Sequence, residues 1–112
     1  DLDEALVRLM DLRRRWRAVR ATGGQIYNPG WNLVFELDHL LTVSEAIARS
    51  ARQRTESRGA HSRLDHPATD DVRWAGVNSV ITRGIDGAMS VTTAPLATMS
   101  DELRSLLGSN DH

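Results

Sequence analysis

Eleven consecutive residues, Thr55-Glu56-Ser57-Arg58-Gly59-Ala60-His61-Ser62-Arg63-Leu64-Asp65, hold two arginines, a histidine and two carboxylates around a single glycine. Three chemistries can be drawn from them. His61, Asp65, His66 and Asp70 are ligand types that bind zinc. They straddle a helix end and Pro67, however, share no helical face, and have Arg58 and Arg63 among them to repel a cation. Ser57, His61 and Asp65 contain the groups of a hydrolytic triad, but no nucleophile elbow accompanies them. The third chemistry is ion pairing. Side chains this polar either face water or are buried against matched partners. An ordinary helix end needs only a glycine and one cation. Glu56, Arg58, His61, Arg63 and Asp65 therefore read as a set of charge-assisted hydrogen bonds that fixes a helix exit and docks it onto something. Glu56, beside several guanidinium groups, is expected to stay ionised.

The elements that position this stretch follow from periodicity. Leu2, Leu6, Leu9, Leu12, Trp16 and Val19 form one apolar stripe, predicting a helix from residue 2 to about 21. Asp1, Asp3 and Glu4 lie at its start and Arg13, Arg14, Arg15, Arg17 and Arg20 near its end, matching the helix dipole. Glu4–Arg8 and Asp11–Arg15 are spaced to pair. Thr22-Gly23-Gly24 stops it, and the linker Gly23 to Tyr27 is short enough to make the next helix an antiparallel neighbour. Asn28 is the predicted N-cap, with Pro29 at the first helical position. That second helix is expected to run to about Ser57, roughly 40 Å at 1.5 Å per residue. Its apolar positions (Leu33, Leu37, Leu40, Ile47 and Ala51, widened by Val34, Phe35, Leu41, Val43 and Ala48) exceed what one partner helix can cover. His39 reads as a surface side chain. After the loop from His66 to Asp71, strands are expected over Val72 to Thr82 and Ala88 to Thr93, joined through Arg83-Gly84-Ile85-Asp86-Gly87. Such a hairpin is marginal alone and must lie against the helices or extend a sheet. Ser100 can N-cap a short helix over Asp101 to Leu107, with Gly108 to His112 as a disordered tail.

At 112 residues the chain is one domain at most, divided here into a helical hairpin over 1–65 and the loop, β-hairpin, short helix and tail over 66–112. Its net charge of −1 supplies no global field for nucleic acid, and the Arg-rich end of the first helix reads as a solvated or interdomain face. The absence of cysteine excludes disulfides and thiolate chemistry. No apolar run approaches the ~20 residues of a membrane span. The chain opens at Asp1-Leu2-Asp3-Glu4 already inside a helical pattern, as an excised fragment would.

Glu56-Ser57-Arg58-Gly59-Ala60-His61-x-Arg63-x-Asp65-x-Pro67, followed by Asp70-Asp71-x-x-Trp74, resembles the C-terminal helical region of the succinate dehydrogenase/fumarate reductase flavoprotein family, to which L-aspartate oxidases are related. Asn28-Pro29-Gly30-Trp31-Asn32-Leu33-Val34-Phe35-Glu36-Leu37 is similar to the start of that family's long helix. The resemblance implies a mainly α fold: an antiparallel two-helix hairpin from an incomplete spectrin-like three-helix bundle, then a β-hairpin and a short C-terminal helix. It implies a parent flavoprotein that interconverts succinate and fumarate by hydride transfer to FAD and passes electrons to an iron–sulfur subunit. That parent would be cytoplasmic, peripheral to the inner face of the cell membrane through partner subunits. It further implies that Glu56, Arg58, His61, Arg63 and Asp65 tie the helical part to an upstream flavin-binding domain. No catalytic, cofactor-binding or metal residue carries over, because the chain has no Gly-x-Gly-x-x-Gly and the fragment alone is not an enzyme.

Leu64 stands where the family often has an acid, His66 where an aromatic is usual, Thr69 where an Arg is common, and Ser100 to His112 replaces the usual ending. Dehydrogenase, fumarate reductase and aspartate oxidase stay open, the hairpin favouring the first two. The alternative is a stand-alone helical interaction module that forms homo-oligomers through its surplus apolar stripe.

Overall fold

A computed structural model of the chain describes residues 1–19 and 28–108. The first helix, α1, spans Leu2–Arg17; Asp1 caps it, its carboxylate accepting the Glu4 N–H at 3.0 Å. It ends about one turn before the expected position. Ala18 is the cap, its N–H turning back to the carbonyls of Arg15 and Trp16. The expected Thr22-Gly23-Gly24 stop, Arg20 and the linker to Tyr27 lie outside the described residues. Glu4 pairs with Arg8 at 2.9 Å as expected, but Asp11 takes Arg14 at 2.6 Å rather than Arg15. On an exposed surface either spacing contributes little to stability.

The second helix, α2, spans Pro29–Gln53, with Asn28 accepting the Gly30 N–H at 3.0 Å and Pro29 in the first turn. It runs antiparallel to α1, because contacts that climb α1 descend α2. Asp3 meets Arg52 at 2.7 Å, Arg13 meets Asp38 at 2.9 Å and Thr42 at 3.1 Å, and Trp16 Nε1 donates to the Val34 carbonyl at 2.8 Å. Leu6, Leu41 and Ala48 are buried. The helix ends at Gln53, not near Ser57: Arg54 is already extended, at φ −76° and ψ 98°. Downstream side chains occupy the last carbonyls and stop it there.

The expected strand from Val72 is also corrected. Asp71–Trp74 is a single helical turn, α3, with Asp70 accepting the Arg73 N–H at 3.1 Å as its N-cap. That turn buries Trp74 to 3% exposure. Strands β1 (Val77–Arg83) and β2 (Met89–Pro95) then pair antiparallel, from Val77 opposite Pro95 to Arg83 opposite Met89. In the connecting turn Gly87 takes φ +81°, and Asp86 accepts the Ala88 N–H at 3.0 Å. The hairpin lies on α2, held where Gln53 Nε2 donates to the Val91 carbonyl at 3.1 Å. Helix α4 spans Asp101–Gly108, with the Ser100 hydroxyl accepting the Leu103 N–H at 3.4 Å. Gly108 thus closes this helix instead of opening a tail; residues 109–112 lie outside the described ones. Among the described residues α4 packs on no other helix or strand.

The fold is therefore mainly α, with one two-stranded sheet, and it measures 66 × 36 × 30 Å. Its core is thin. Leu33, Leu37, Leu40, Val43 and Ile47 form an open stripe along α2, each at least 40% exposed. Among the described residues no helix is long and apolar enough to cross a membrane. Truncating the interhelix contact by Leu41→Ala is expected to cost about 2–4 kcal/mol in urea denaturation. Leu40→Ala on the open stripe should cost less than about 0.5 kcal/mol. Equal losses at the two positions would mean that the stripe is covered.

Candidate functional site

The residues after α2 close into two linked hydrogen-bonded clusters. At the centre of the first is Glu56, with no exposed surface. Its Oε1 accepts from Arg54 Nη1 at 2.7 Å and Arg58 Nε at 2.9 Å. Its Oε2 accepts from Arg58 Nη2 at 3.1 Å and the Asp70 N–H at 2.8 Å. Both oxygens are thereby satisfied, which removes the main penalty on a buried carboxylate. The Arg58 hydrogen bonds are the largest influence on its acidity; desolvation opposes them, and the Asp70 N–H and Arg54 reinforce them, leaving the Glu56 pKa at about 2. Arg58 is held still more firmly protonated, by Glu56 first and then by Asp71, whose carboxylate takes its Nη2. The guanidinium carbons of Arg54 and Arg73 lie 5.1 and 5.2 Å from the centre of the Trp74 ring, in cation–π range. One carboxylate thus ties the exit of α2 to the start of α3.

The second cluster ends α2. Arg63 Nη1 donates to the carbonyls of Ala51, Arg52 and Arg54 at 3.3, 2.8 and 3.2 Å. A cation there also meets the negative end of the helix dipole. The rest of the guanidinium forks onto Asp65, at 2.9 and 2.6 Å, and this lowers the Asp65 pKa. His61 Nε2 lies 3.1 Å from the Arg54 carbonyl. That contact assigns Nε2 as the donor, since a carbonyl only accepts. Between the clusters, Arg58 and His61 exchange both backbone hydrogen bonds across a two-residue turn, at 2.8 and 3.0 Å. Gly59 opens that turn at φ +57°, a conformation that favours glycine. Ser57 laces the loop together, accepting the Arg63 N–H at 2.9 Å and donating to the His66 carbonyl at 2.8 Å.

The residues singled out by type and spacing are thus all in one place but in separate pairs: Glu56 with Arg58, Arg63 with Asp65, and His61 with Arg63 through the Arg54 carbonyl. Ser57, His61 and Asp65 do not bond to one another and assemble no triad. Among the described residues no group of three or more His, Asp or Glu is placed to hold a metal. Arg54 joins the site without having been singled out from sequence, and Asp70, Asp71 and Trp74, noted there as part of the motif, join it as partners of Glu56, Arg58 and Arg54. Their signal is the run Asp70-Asp71-x-x-Trp74, whose spacing is that of a capped helical turn. What faces solvent is the turn at Gly59 and Ala60, together with Ser62, Leu64, Asp65 and Asp71.

Residues 1–104 match the family model described as fumarate reductase flavoprotein C-term. The chain is 43% identical over 74 residues to the succinate dehydrogenase flavoprotein subunit of Coxiella burnetii, covering 65% of this chain and 13% of that one. It is 35% identical over 106 residues to the fumarate reductase flavoprotein subunit of Escherichia coli, covering 86% and 17%. A solved structure of a variant of E. coli quinol fumarate reductase FrdA superposes with a TM-score of 0.78 at 32% identity, over 88% of this chain and 18% of that one. The chain belongs to the fumarate reductase/succinate dehydrogenase flavoprotein C-terminal family, and it spans less than a fifth of the length of these relatives.

A carboxyl whose folded pKa lies below its unfolded value contributes stability above the unfolded pKa and loses it as pH falls toward the folded one. For Glu56 that window runs from 4.5 down to about 2. Urea midpoints are therefore expected to fall across this range. Glu56→Gln should destabilise the chain at pH 7 by more than Leu41→Ala does, because it leaves two guanidinium groups facing a neutral amide. It should also flatten the acid limb without abolishing it, since Asp65 and Asp11 are lowered too. An unchanged midpoint at pH 7 would remove Glu56 from the centre of the structure.

Proposed function

We infer that this chain serves as the non-catalytic C-terminal part of a flavin-dependent succinate dehydrogenase or fumarate reductase. The observation that carries this reading is the family match over residues 1–104, which includes both clusters and the hairpin. In such a parent protein, succinate and fumarate are interconverted on FAD, and electrons pass to an iron–sulfur subunit. The parent would be held at the inner face of the cell membrane through partner subunits. The chain carries no Gly-rich dinucleotide fingerprint. FAD is accordingly assigned to an upstream flavin-binding domain, and no catalytic step falls on these residues.

The role proposed for the chain's own residues is docking. Glu56 is satisfied by Arg58, Asp65 by Arg63 and His61 by the Arg54 carbonyl, which makes the Gly59-Ala60 turn a pre-formed projection. Rigid, pre-formed surfaces bind with little ordering cost. Arg58 and Asp65 keep 38% and 62% of their side chains exposed at its flanks, available to groups of a flavin domain. The open α2 stripe supports a second contact. The groove between α1 and α2 has Ala5, Ser44, Ala48 and Ala51 among its lining, flanked by Leu9 and Leu12, an apolar surface on which a further helix could pack to complete a three-helix bundle.

Calorimetric titration of this chain into its separately expressed upstream flavin domain tests the reading. Binding is expected, and Arg58→Ala should weaken it by on the order of tenfold or more. Because Arg58 also supports folding, Ala60→Glu on the exposed turn is the companion variant, expected to weaken binding with the urea midpoint unchanged. Absence of binding by a folded, dimeric chain would instead favour a self-associating helical module using the α2 stripe.

A further inference from the structure

A groove of about 460 Å³ runs along the other flank of Ile47, between α2 and β1, lined by Val43, Ile47, Ser50, Arg54, His61 and Ile81. Its lining is mostly apolar, and it is basic at one end, where the Arg54 guanidinium stands. Arg54 gives only one nitrogen to Glu56, so the rest of its guanidinium remains for a second acid. Elsewhere in the chain is a helix with the complementary pattern. α4 begins with Asp101 and Glu102 and continues with Leu103 and Leu107, 55% and 64% exposed and spaced for one face. An eight-residue helix is far below the ~12–15 residues that are marginal alone in water, so α4 needs a surface to cover its leucines.

We propose that α4 is an intramolecular strap that closes over the α2/β1 groove, its acids at Arg54 and its leucines along Ile47 and Val43. Three observations select this chain's own helix as the occupant. The first is reach. The Leu96 N–H is bonded to the Gly76 carbonyl at 2.9 Å, which pins the chain at the base of the hairpin, two residues beyond the Trp74 that Arg54 overlies. From there Leu96 to Ser100 spans up to ~14 Å. The second is polarity: the chain arrives at the basic end of the groove, so the acidic first turn of α4 meets it first. The third is length. α4 is about 12 Å long, and the α2 segment from Gln53 back to Val43 about 15 Å. The family match ends at residue 104, inside this helix, so the strap extends past what the family model describes.

The chain has no cysteine, so a pair of introduced ones reports the contact without background. Ile47→Cys with Leu107→Cys, both at exposed positions, is expected to give an internal disulfide on mild oxidation. It should form on the order of a thousandfold faster than any cross-link between molecules at micromolar concentration, as millimolar effective concentrations require. Leu33→Cys with Leu107→Cys, some 21 Å further along α2, should form none. Asp101→Lys with Glu102→Lys should slow the internal reaction on the order of tenfold. A disulfide-linked dimer would overturn the proposal in favour of a second copy in the groove. The absence of any cross-link, or equal rates for the two cysteine pairs, would overturn it outright.

Discussion

The rest of the structure depends on the burial of one carboxylate. Glu56 lies where the chain leaves α2, and with no solvent contact it must find its hydrogen bonds within the protein. Arg54, Arg58 and the Asp70 N–H supply them. Each of those donors fixes something larger. Arg54 overlies Trp74, the most buried apolar side chain of the C-terminal half. Arg58 reaches Asp71 at the start of α3, and the Asp70 N–H anchors the residue whose carboxylate caps the same turn. The β-hairpin that follows is placed against α2 because α3 is placed first. A thin apolar core is enough here because an ion-paired knot joins its two halves.

The elements legible in the sequence are those decided by neighbouring residues. Asn28-Pro29 opens α2 because cap and first turn are local chemistry, and the Gly84 to Gly87 turn follows from glycine and aspartate in series. The end of α2 is not legible because it is not local: Arg63, far downstream, takes the carbonyls of Ala51, Arg52 and Arg54. Periodicity through Arg54 and Thr55 still looks helical. Trp74 reads as part of a strand because the spacing of Trp74, Val77 and Val80 fits either element, and only the Asp70 cap decides between them. At the site, the kinds of residue are evident and the wiring is not. An Arg in sequence has several carboxylates within reach, so that Glu56 chooses Arg58 and Asp65 chooses Arg63 emerges only from the backbone path.

The apolar surplus of α2 divides between its two flanks. One lies beside α1 and is lined by alanines, Ser44 and larger aliphatic side chains; the other lies beside β1 and is closed at one end by Arg54 and His61. Their chemistry differs enough that one occupant does not serve for both. A helix with a broad uncharged face suits the first, and a short helix with acids at its start suits the second. Ile47 borders both grooves.

The knot around Glu56 also bears on the order in which the chain assembles. Its partners are close along the chain, separated by 2 to 14 residues. The bonds that seat α1 on α2 span 18 to 49. Short loops close within about 10–100 ns and sacrifice little chain entropy. Contact order therefore favours a nucleus in the middle of the chain, from which α2 lengthens backward and the hairpin forward, with α1 docking last.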